Sequence, residues 1–284
     1  MADIADGREP QDADFTRGLG ENHWNRMTAS CASPASVVAD VRRAPTQEGA
    51  MLYDASRVGN ASAELFDAAA WRARGALAAT STGRGGAYFI DAGERQWVLR
   101  HYRRGGWAAR LSTDAYLWTG ENRTRPFREW RLLHEMHAAG LPVPIPVAAR
   151  YSRSGFTYRG DLITEQIRGA TPLSALLQVG PLPPNTWRAV GHCIRRFHDA
   201  GIWHADLNAH NILLDEAGRV YLVDFDRGAR RAPGSWRAAN LSRLQRSLRK
   251  ICALLPADRL ETAMWSMLAE GYGDAAVTRR AWRR

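Results

Sequence analysis

A chain of 284 residues, 45% of them apolar, has room for one large domain or two packed lobes and for a real core. Its formal charge of +10, carried almost wholly by arginine, makes a surface that attracts polyanions such as nucleotide, nucleic acid or anionic lipid, without choosing among them. No apolar run approaches the roughly 18–20 residues of a spanning helix, and the acidic start Met1–Asp6 lacks the apolar segment of a signal peptide. Cys31, Cys193 and Cys252 follow no disulfide or metal-ligand spacing and read as reduced thiols. The expectation is a soluble chain, or one attached to a membrane surface from the cytoplasmic side.

Residues 1–55 are rich in Ala, Asp, Gly, Ser and Arg without sustained periodicity and read as a disordered extension, with Met27 or Met51 as alternative starts. A short helix is expected over Ala63–Arg74, stopped by Gly75. The glycine-rich run Ser81–Gly86 then leads into two β-prone runs, Ala87–Ile90 and Gln96–Tyr102, joined by a turn at Asp91–Gly93. Phe127, Trp130, Leu133, Met136 and His137 recur at helical spacing over residues 126–138. Pro142, Pro144 and Pro146 end that helix and open further strands at Val147–Tyr151, Thr157–Tyr158 and Leu162–Ile167. Beyond residue 170 the pattern turns helical, over Leu173–Val179, over Trp187–Ala200 with Gly201 as its stop, and from about residue 236 onward. Two short strands, Asn211–Leu214 and Val220–Val223, interrupt it. A β-rich half (56–170) and an α-rich half (171–284) predict an α+β molecule of two lobes with a cleft between them.

The most specific signal is His204-Ala205-Asp206-Leu207-Asn208-Ala209-His210-Asn211, followed by Asp224-Phe225-Asp226. Phosphoryl transfer requires positioning and charge neutralisation more than covalent help. One carboxylate must receive or orient the proton of the attacking hydroxyl, while a second carboxylate and an amide oxygen hold magnesium, which prefers hard oxygen ligands. Asp206, Asp224 and Asn211 are the residue types for those three tasks. The loop resembles the catalytic loop of protein-kinase-like enzymes, and the steps from Asp206 to Asn211 to Asp224 fit that family's spacing. The resemblance implies a bilobal fold with a small β-rich N-lobe and a helical C-lobe, ATP and Mg2+ as cofactors, Asp206 as catalytic base, and Asn211 and Asp224 as metal ligands. In the N-lobe it implies a phosphate-covering loop at Gly83, Gly85 and Gly86, with Arg100 standing where such a strand usually carries lysine and Glu129 as its ion-pair partner. Ala205, Asn208 and Asp226 depart from the regulated protein kinases, and the short segment Arg227–Arg237 leaves no room for a long regulatory loop. These departures favour a constitutive small-molecule or lipid kinase.

Further blocks sharpen the resemblance. Leu99-Arg100-His101-Tyr102-Arg103-Arg104-Gly105-Gly106, Asp114-x-Tyr116-Leu117-Trp118 and Leu141-Pro142-Val143-Pro144-Ile145-Pro146, in that order before the catalytic loop, are similar to the 3-deoxy-D-manno-octulosonic acid (Kdo) kinases. This similarity runs from about residue 83 to about 250. It implies phosphorylation of the 4-hydroxyl of Kdo on a lipid A precursor, in lipopolysaccharide core assembly at the cytoplasmic face of the inner membrane. The basic segment Arg100–Arg110 is then a candidate acceptor or lipid contact through His101, Arg103, Arg104 and Trp107. The outward charges Arg243, Arg246, Arg249 and Lys250 of the last region form a second candidate membrane surface. Two rivals stay open: a kinase for another small hydroxyl acceptor, such as an aminoglycoside or choline, and a non-catalytic pseudokinase. The tryptophans are scattered and accompany no nucleic-acid motif, so nucleic acid is not an expected partner. His134 and His137 lack the four-residue spacing of a zinc helix.

Overall fold

A computed structural model describes residues 39–59, 61–80, 86–103, 114–254 and 262–282 of the chain. The amino-terminal half holds strands β1 (Val41–Thr46), β2 (Gly49–Asp54), β3 (Leu77–Thr80), β4 (Ala87–Asp91), β5 (Gln96–His101), β6 (Tyr116–Leu117), β7 (Pro146–Ser154) and β8 (Thr157–Glu165). They pair antiparallel in the order β1-β2-β7-β8-β5-β4-β3, with β6 added to β8. Helices α1 (Ala68–Ala73) and α2 (Arg125–Ala138) complete this half.

Strand alternation gives the sheet two apolar faces. Leu52, Ala149 and Leu162 meet Phe127, Trp130, Leu133 and Met136 of α2. Met51, Ala148, Ile163, Leu99 and Trp97 point the other way and are closed over by Phe66 and Trp71, from a short 3-10 turn and α1. Arg100 and His101, adjacent on β5, therefore lie on opposite faces. Arg100 shares the α2 face, and His101 the other.

Three expectations change. Residues 1–55 read as a disordered extension, yet β1 and β2 lie within them, and β2 buries Ala50, Met51 and Leu52. These strands belong to the unit Val37–Arg284. Strand β3 was not anticipated. The candidates at Thr157–Tyr158 and Leu162–Ile167 are one continuous strand, β8, which runs through Gly160 and ends at Glu165, short of Ile167. A Cβ on Gly160 would sit 2.7 Å from Cγ of Pro126, so the glycine marks a close approach of α2 rather than a break.

The second half begins with β9 (Thr171–Pro172), α3 (Leu173–Val179) and α4 (Pro184–Asp199), followed by β10 (Ile202–Trp203), β11 (Ile212–Leu214), β12 (Val220–Leu222) and β13 (Ala229–Arg230). Helices α5 (Trp236–Cys252), α6 (Thr262–Tyr272) and α7 (Ala275–Trp282) close it. Helix α4 is the pillar: Trp187, Val190, Ile194 and Phe197 fall on one stripe and are buried. Gly201 stops it at φ +72, a left-handed conformation that glycine adopts without a Cβ penalty. The chain then turns directly into β10 and the loop that follows.

Helices α4 and α6 touch through glycine. A Cβ at Gly191 would stand 2.0 Å from the carbonyl oxygen of Leu268, and one at Gly271 would stand 2.1 Å from that of Arg188. Main-chain atoms cannot rotate away as a side chain can. Gly191→Ala is expected to lower the unfolding free energy by about 1–3 kcal/mol, the usual cost of overpacking, despite alanine's better helix propensity. The shift in urea midpoint at constant slope measures it.

His198, on the buried side of α4, adds a pH dependence. Its Nδ1 is 2.8 Å from the Tyr272 hydroxyl, its ring meets Trp236 edge-on, and Arg195, Asp199 and Arg237 are its charged neighbours. Burial pushes its pKa down to about 4 from an ordinary 6.5. Buried His204 shifts in the same direction for the same first cause. Below pH 6.5 the unfolded chain takes up protons that the folded chain refuses. The stability held above that pH is thus lost as pH falls towards about 4, by on the order of 3 kcal/mol for His198. Urea titrations across this range should show the decline, and His198→Gln should flatten it.

Candidate functional site

The catalytic-loop segment lies between β10 and β11, and Asp224 follows β12 after Val223. Paired strands on either side hold the intervening turns. β10 pairs with β13, and β11 pairs with β12 and β9. Inside the loop, buried His204 links the two halves of the motif. The Asp206 N–H donates to its Nδ1 at 3.1 Å, and its Nε2 is 2.9 Å from the Val223 carbonyl. A neutral ring protonated on Nε2 satisfies both bonds, in keeping with the depressed pKa. Buried Asn240 of α5 braces the same residue: its Oδ1 accepts from the His204 N–H at 3.2 Å and its Nδ2 donates to the His204 carbonyl at 2.9 Å. Phe225 stacks on Phe197 and meets the His204 ring at a tilt, which anchors the chain next to Asp224 to α4.

Asn208 folds the loop on itself, accepting from the N–H groups of His210 and Asn211 at 2.8 and 3.1 Å. Asn211 donates through Nδ2 to the Asp206 carbonyl at 2.9 Å, and its own carbonyl accepts from the Val223 N–H at 3.0 Å. That bond fixes the amide by its nitrogen, which leaves the oxygen as the end able to bind a cation. Asp206 is 60% exposed at its side chain and touches Asn208 Nδ2 at 3.1 Å and Arg243 at 3.2 Å. Asp224 sits at φ +64, in the left-handed region, a conformation that aspartate tolerates better than most residues.

The N-lobe meets this set through Arg100. One guanidinium nitrogen lies 2.7 Å from Asp224 and the other 2.7 Å from Glu129 of α2. Glu129 is buried, and the Tyr102 hydroxyl donates to its second oxygen. Burial opposes the charge on Arg100, but Glu129 and Asp224 outweigh it and raise its pKa above the ordinary value. Burial raises that of Tyr102 as well, so its hydroxyl stays a donor. The Arg100–Glu129 pairing read from the sequence is thus present in the structure, 29 residues apart in the chain.

A second clamp was not foreseen. Arg125, at the start of α2, binds Asp226 through both ends of its fork, with Nε 2.7 Å from Oδ1. The rings of Tyr116 and Tyr102 flank its guanidinium. Asp226, noted as a departure from the usual glycine, therefore ties the segment after Asp224 to α2. Nothing local marks Arg125 for this role, because its partner lies 101 residues away. Tyr102 and Asn240 escaped the sequence reading for the same reason.

The remaining candidates divide. Gly86 adopts φ +51 at the mouth of β4, and Arg103 lies nearby, its guanidinium 4.0 Å from where a Cβ of Gly86 would be. His101 is bound to Asp161, which Arg150 also contacts, on the sheet face away from Arg100. That placement separates His101 from the Asp206 set. Gly83, Gly85, Arg104 and Trp107 lie outside the described residues. Beside Asp206 opens a cavity of about 350 Å3, with Trp203, Arg231, Trp236, Arg243 and Arg246 on its walls.

These side chains position groups and balance charge rather than attack as nucleophiles, which is the demand of moving a phosphoryl group from a nucleotide. With a β-rich lobe set against a helical one, they define a phosphotransferase of the protein-kinase-like class. The model of the lipopolysaccharide kinase (Kdo/WaaP) family matches residues 68–272, a span that includes Arg100, Glu129, Asp206, Asn211 and Asp224, and the chain belongs to that family. Membership implies ATP as phosphoryl donor and a hydroxyl as acceptor. The chain is 48% identical over 206 residues to a 3-deoxy-D-manno-octulosonic acid kinase of Xylella fastidiosa (strain 9a5c), covering 72% of this chain and 82% of the relative. It is 50% identical over 205 residues to one of Xanthomonas axonopodis pv. citri (strain 306), covering 72% and 81%.

Proposed function

We propose that the protein transfers the γ-phosphoryl group of ATP to the 4-hydroxyl of Kdo on a lipid A precursor, in lipopolysaccharide core assembly. The observation that carries this reading is the near-50% identity to Kdo kinases over some 72% of the chain. The geometry supports it, since Arg100, Asp206, Asn211 and Asp224 converge from both lobes on one cleft. Asp206 orients the acceptor hydroxyl and receives its proton. Asn211 and Asp224 offer two hard oxygen donors, the chemistry that suits magnesium, which with ATP supplies neutralisation of the phosphate charge. Arg100, held by Glu129, presents a fixed cation to the phosphates. The glycines at 83, 85 and 86 are proposed to cover them.

The test is mass spectrometry of a Kdo-bearing lipid A precursor after incubation with the protein, ATP and magnesium. One added phosphate on Kdo, absent with Asp206→Ala, is the expected result. ATP turnover without a phosphorylated Kdo would discard this acceptor in favour of another hydroxyl, and loss of ATP binding altogether would leave a pseudokinase.

Among the described residues no helix is long and apolar enough to cross a membrane. We place the protein at the cytoplasmic face of the inner membrane, held peripherally, because its acceptor is a lipid. Leu241, Leu244 and Leu248 of α5 are buried in the core, so the exposed Arg249 and Lys250 offer that surface charge without an apolar face. Attachment through α5 would therefore be electrostatic. Binding to vesicles containing anionic lipid should fall steeply as salt is raised, and salt-independent binding would exclude this mode.

A further inference from the structure

The wall beside Asp206 is electrostatically incomplete. Its cavity of about 350 Å3 is assembled from β10, the segment after β13 and α5. Arg231 lies over the ring of Trp203, its guanidinium carbon 3.5 Å from the ring centroid. Arg243 reaches from the cavity to Asp206, 3.2 Å away. Arg246 comes one turn later on the same helix and lines the same cavity. Among the described residues Arg231 and Arg246 have no carboxylate partner, and Asp206 is the acid that meets the third arginine. Cations gathered on a concave wall without matching acids attract an anionic ligand.

The walls also say what kind of anion. Planar guanidinium forks match a carboxylate by paired hydrogen bonds, while the indole of Trp236 offers flat apolar surface of the sort on which a sugar ring packs. The volume stands at the low end of small-molecule sites, which run from about 300 to 1,000 Å3. That is room on the scale of one monosaccharide, not of a lipid with its acyl chains. We propose that this cavity is the acceptor subsite, in which Arg231 and Arg246 hold the carboxylate of a sugar acid and Trp236 supports its ring. Arg243, already on Asp206, ties the bound sugar to the catalytic loop. The inference rests on the Kdo reading above and adds to it the residues that select an acidic sugar. It gives α5, otherwise a core helix with a solvated face, a role in specificity.

The experiment compares two acceptors, a Kdo-lipid A precursor and the same molecule with the Kdo carboxyl methylated, on wild type and Arg246→Gln. The expected result is a rise in acceptor KM on the order of tenfold or more for Arg246→Gln, with kcat changed much less and Arg246→Lys recovering part of the loss. Wild type should show a similar rise with the ester, and Arg246→Gln should add little to it, because a shared interaction is lost only once. Unchanged acceptor KM in both Arg246→Gln and Arg231→Gln overturns the subsite while leaving the Kdo reading intact. An Arg246→Gln defect that persists in full on the ester shows that the anion is a lipid phosphate instead, and overturns the carboxylate assignment. If wild type phosphorylates no Kdo acceptor, the functional reading fails, and saturation-transfer NMR with free Kdo tests the cavity alone. Transfer to the sugar protons that is lost in Arg246→Gln supports the subsite, and none in wild type overturns it.

Discussion

Asp206→Asn is expected to lower kcat by a factor on the order of 10² to 10⁴, the range over which a positioned acid or base contributes. The substitution keeps the side-chain shape and a hydrogen-bonding oxygen, but it removes the group that takes the proton of the acceptor hydroxyl. Asp206 is 60% exposed at its side chain and its neighbours are Asn208 and Arg243, so the fold does not lean on it. Thermal stability should therefore change little, as for most exposed positions. Acceptor KM should move far less than kcat, since the lost interaction matters most in the transition state. Steady-state kinetics with phosphate transfer read by mass spectrometry decides it. A variant within a few-fold of wild type would remove Asp206 from the chemistry and return the loop to a structural role.

The second large effect is expected at Asp224, where asparagine is again the informative replacement. The residue sits at φ +64, and asparagine tolerates that left-handed backbone about as well as aspartate does. Alanine would add backbone strain to the loss of the carboxylate and blur the result. The proposed metal ligand loses its charge in Asp224→Asn, and charge stabilisation of this kind is worth several kcal/mol, hence a fall of about 10³ or more in kcat. The same change removes one of the two carboxylates that grip Arg100, each at 2.7 Å. Glu129 remains to hold the arginine, so the variant should stay folded and still bind nucleotide, more weakly. Magnesium titration of ATP binding, followed by calorimetry, separates the two contributions. Loss of the magnesium dependence with retained binding points to the carboxylate as the ligand. Retention of both would assign the ion to other groups.

Arg100 explains why arginine works at this strand position. A lysine offers one ammonium, whereas the guanidinium spans two carboxylates with separate nitrogens, one from each lobe. The cleft is then spanned by a charge pair already in place, and the Arg125–Asp226 clamp adds a second tie between α2 and the segment after Asp224. With β13 close behind, this short segment is held at both ends, by Arg125 at Asp226 and by the pairing of β13 with β10.

What could be read from the sequence alone was local. Asp206, Asn211 and Asp224 lie close together in the chain, around β11 and β12, so their residue types and spacing were legible without the fold, and the roles proposed for them follow the resemblance to kinases. Periodicity likewise found α2, α3 and α4, because a helix pattern is written every three or four residues on one element. The hairpin of β4 and β5 announced itself through β-prone runs and a glycine-containing turn. Even the Arg100–Glu129 pair was within reach, through the resemblance to kinases.

Tertiary structure decided the rest. The edge hairpin β1–β2 resembles a polar extension in composition, and only its pairing with β7 shows which side chains it buries. Thr157–Tyr158 and Leu162–Ile167 read as separate strands, and only the pairing with β7 joins them into β8, with Gly160 against Pro126 of α2. His101 and Arg100 were neighbours in one basic motif, yet the pleat sends them to opposite faces, because successive strand residues alternate. The arginines of α5 read as a charged surface, and only the fold brings Arg231, Arg243 and Arg246 around one cavity beside Asp206. In each case the deciding contact joins residues far apart in the chain, and a local pattern holds no record of which distant partner the packed core will supply.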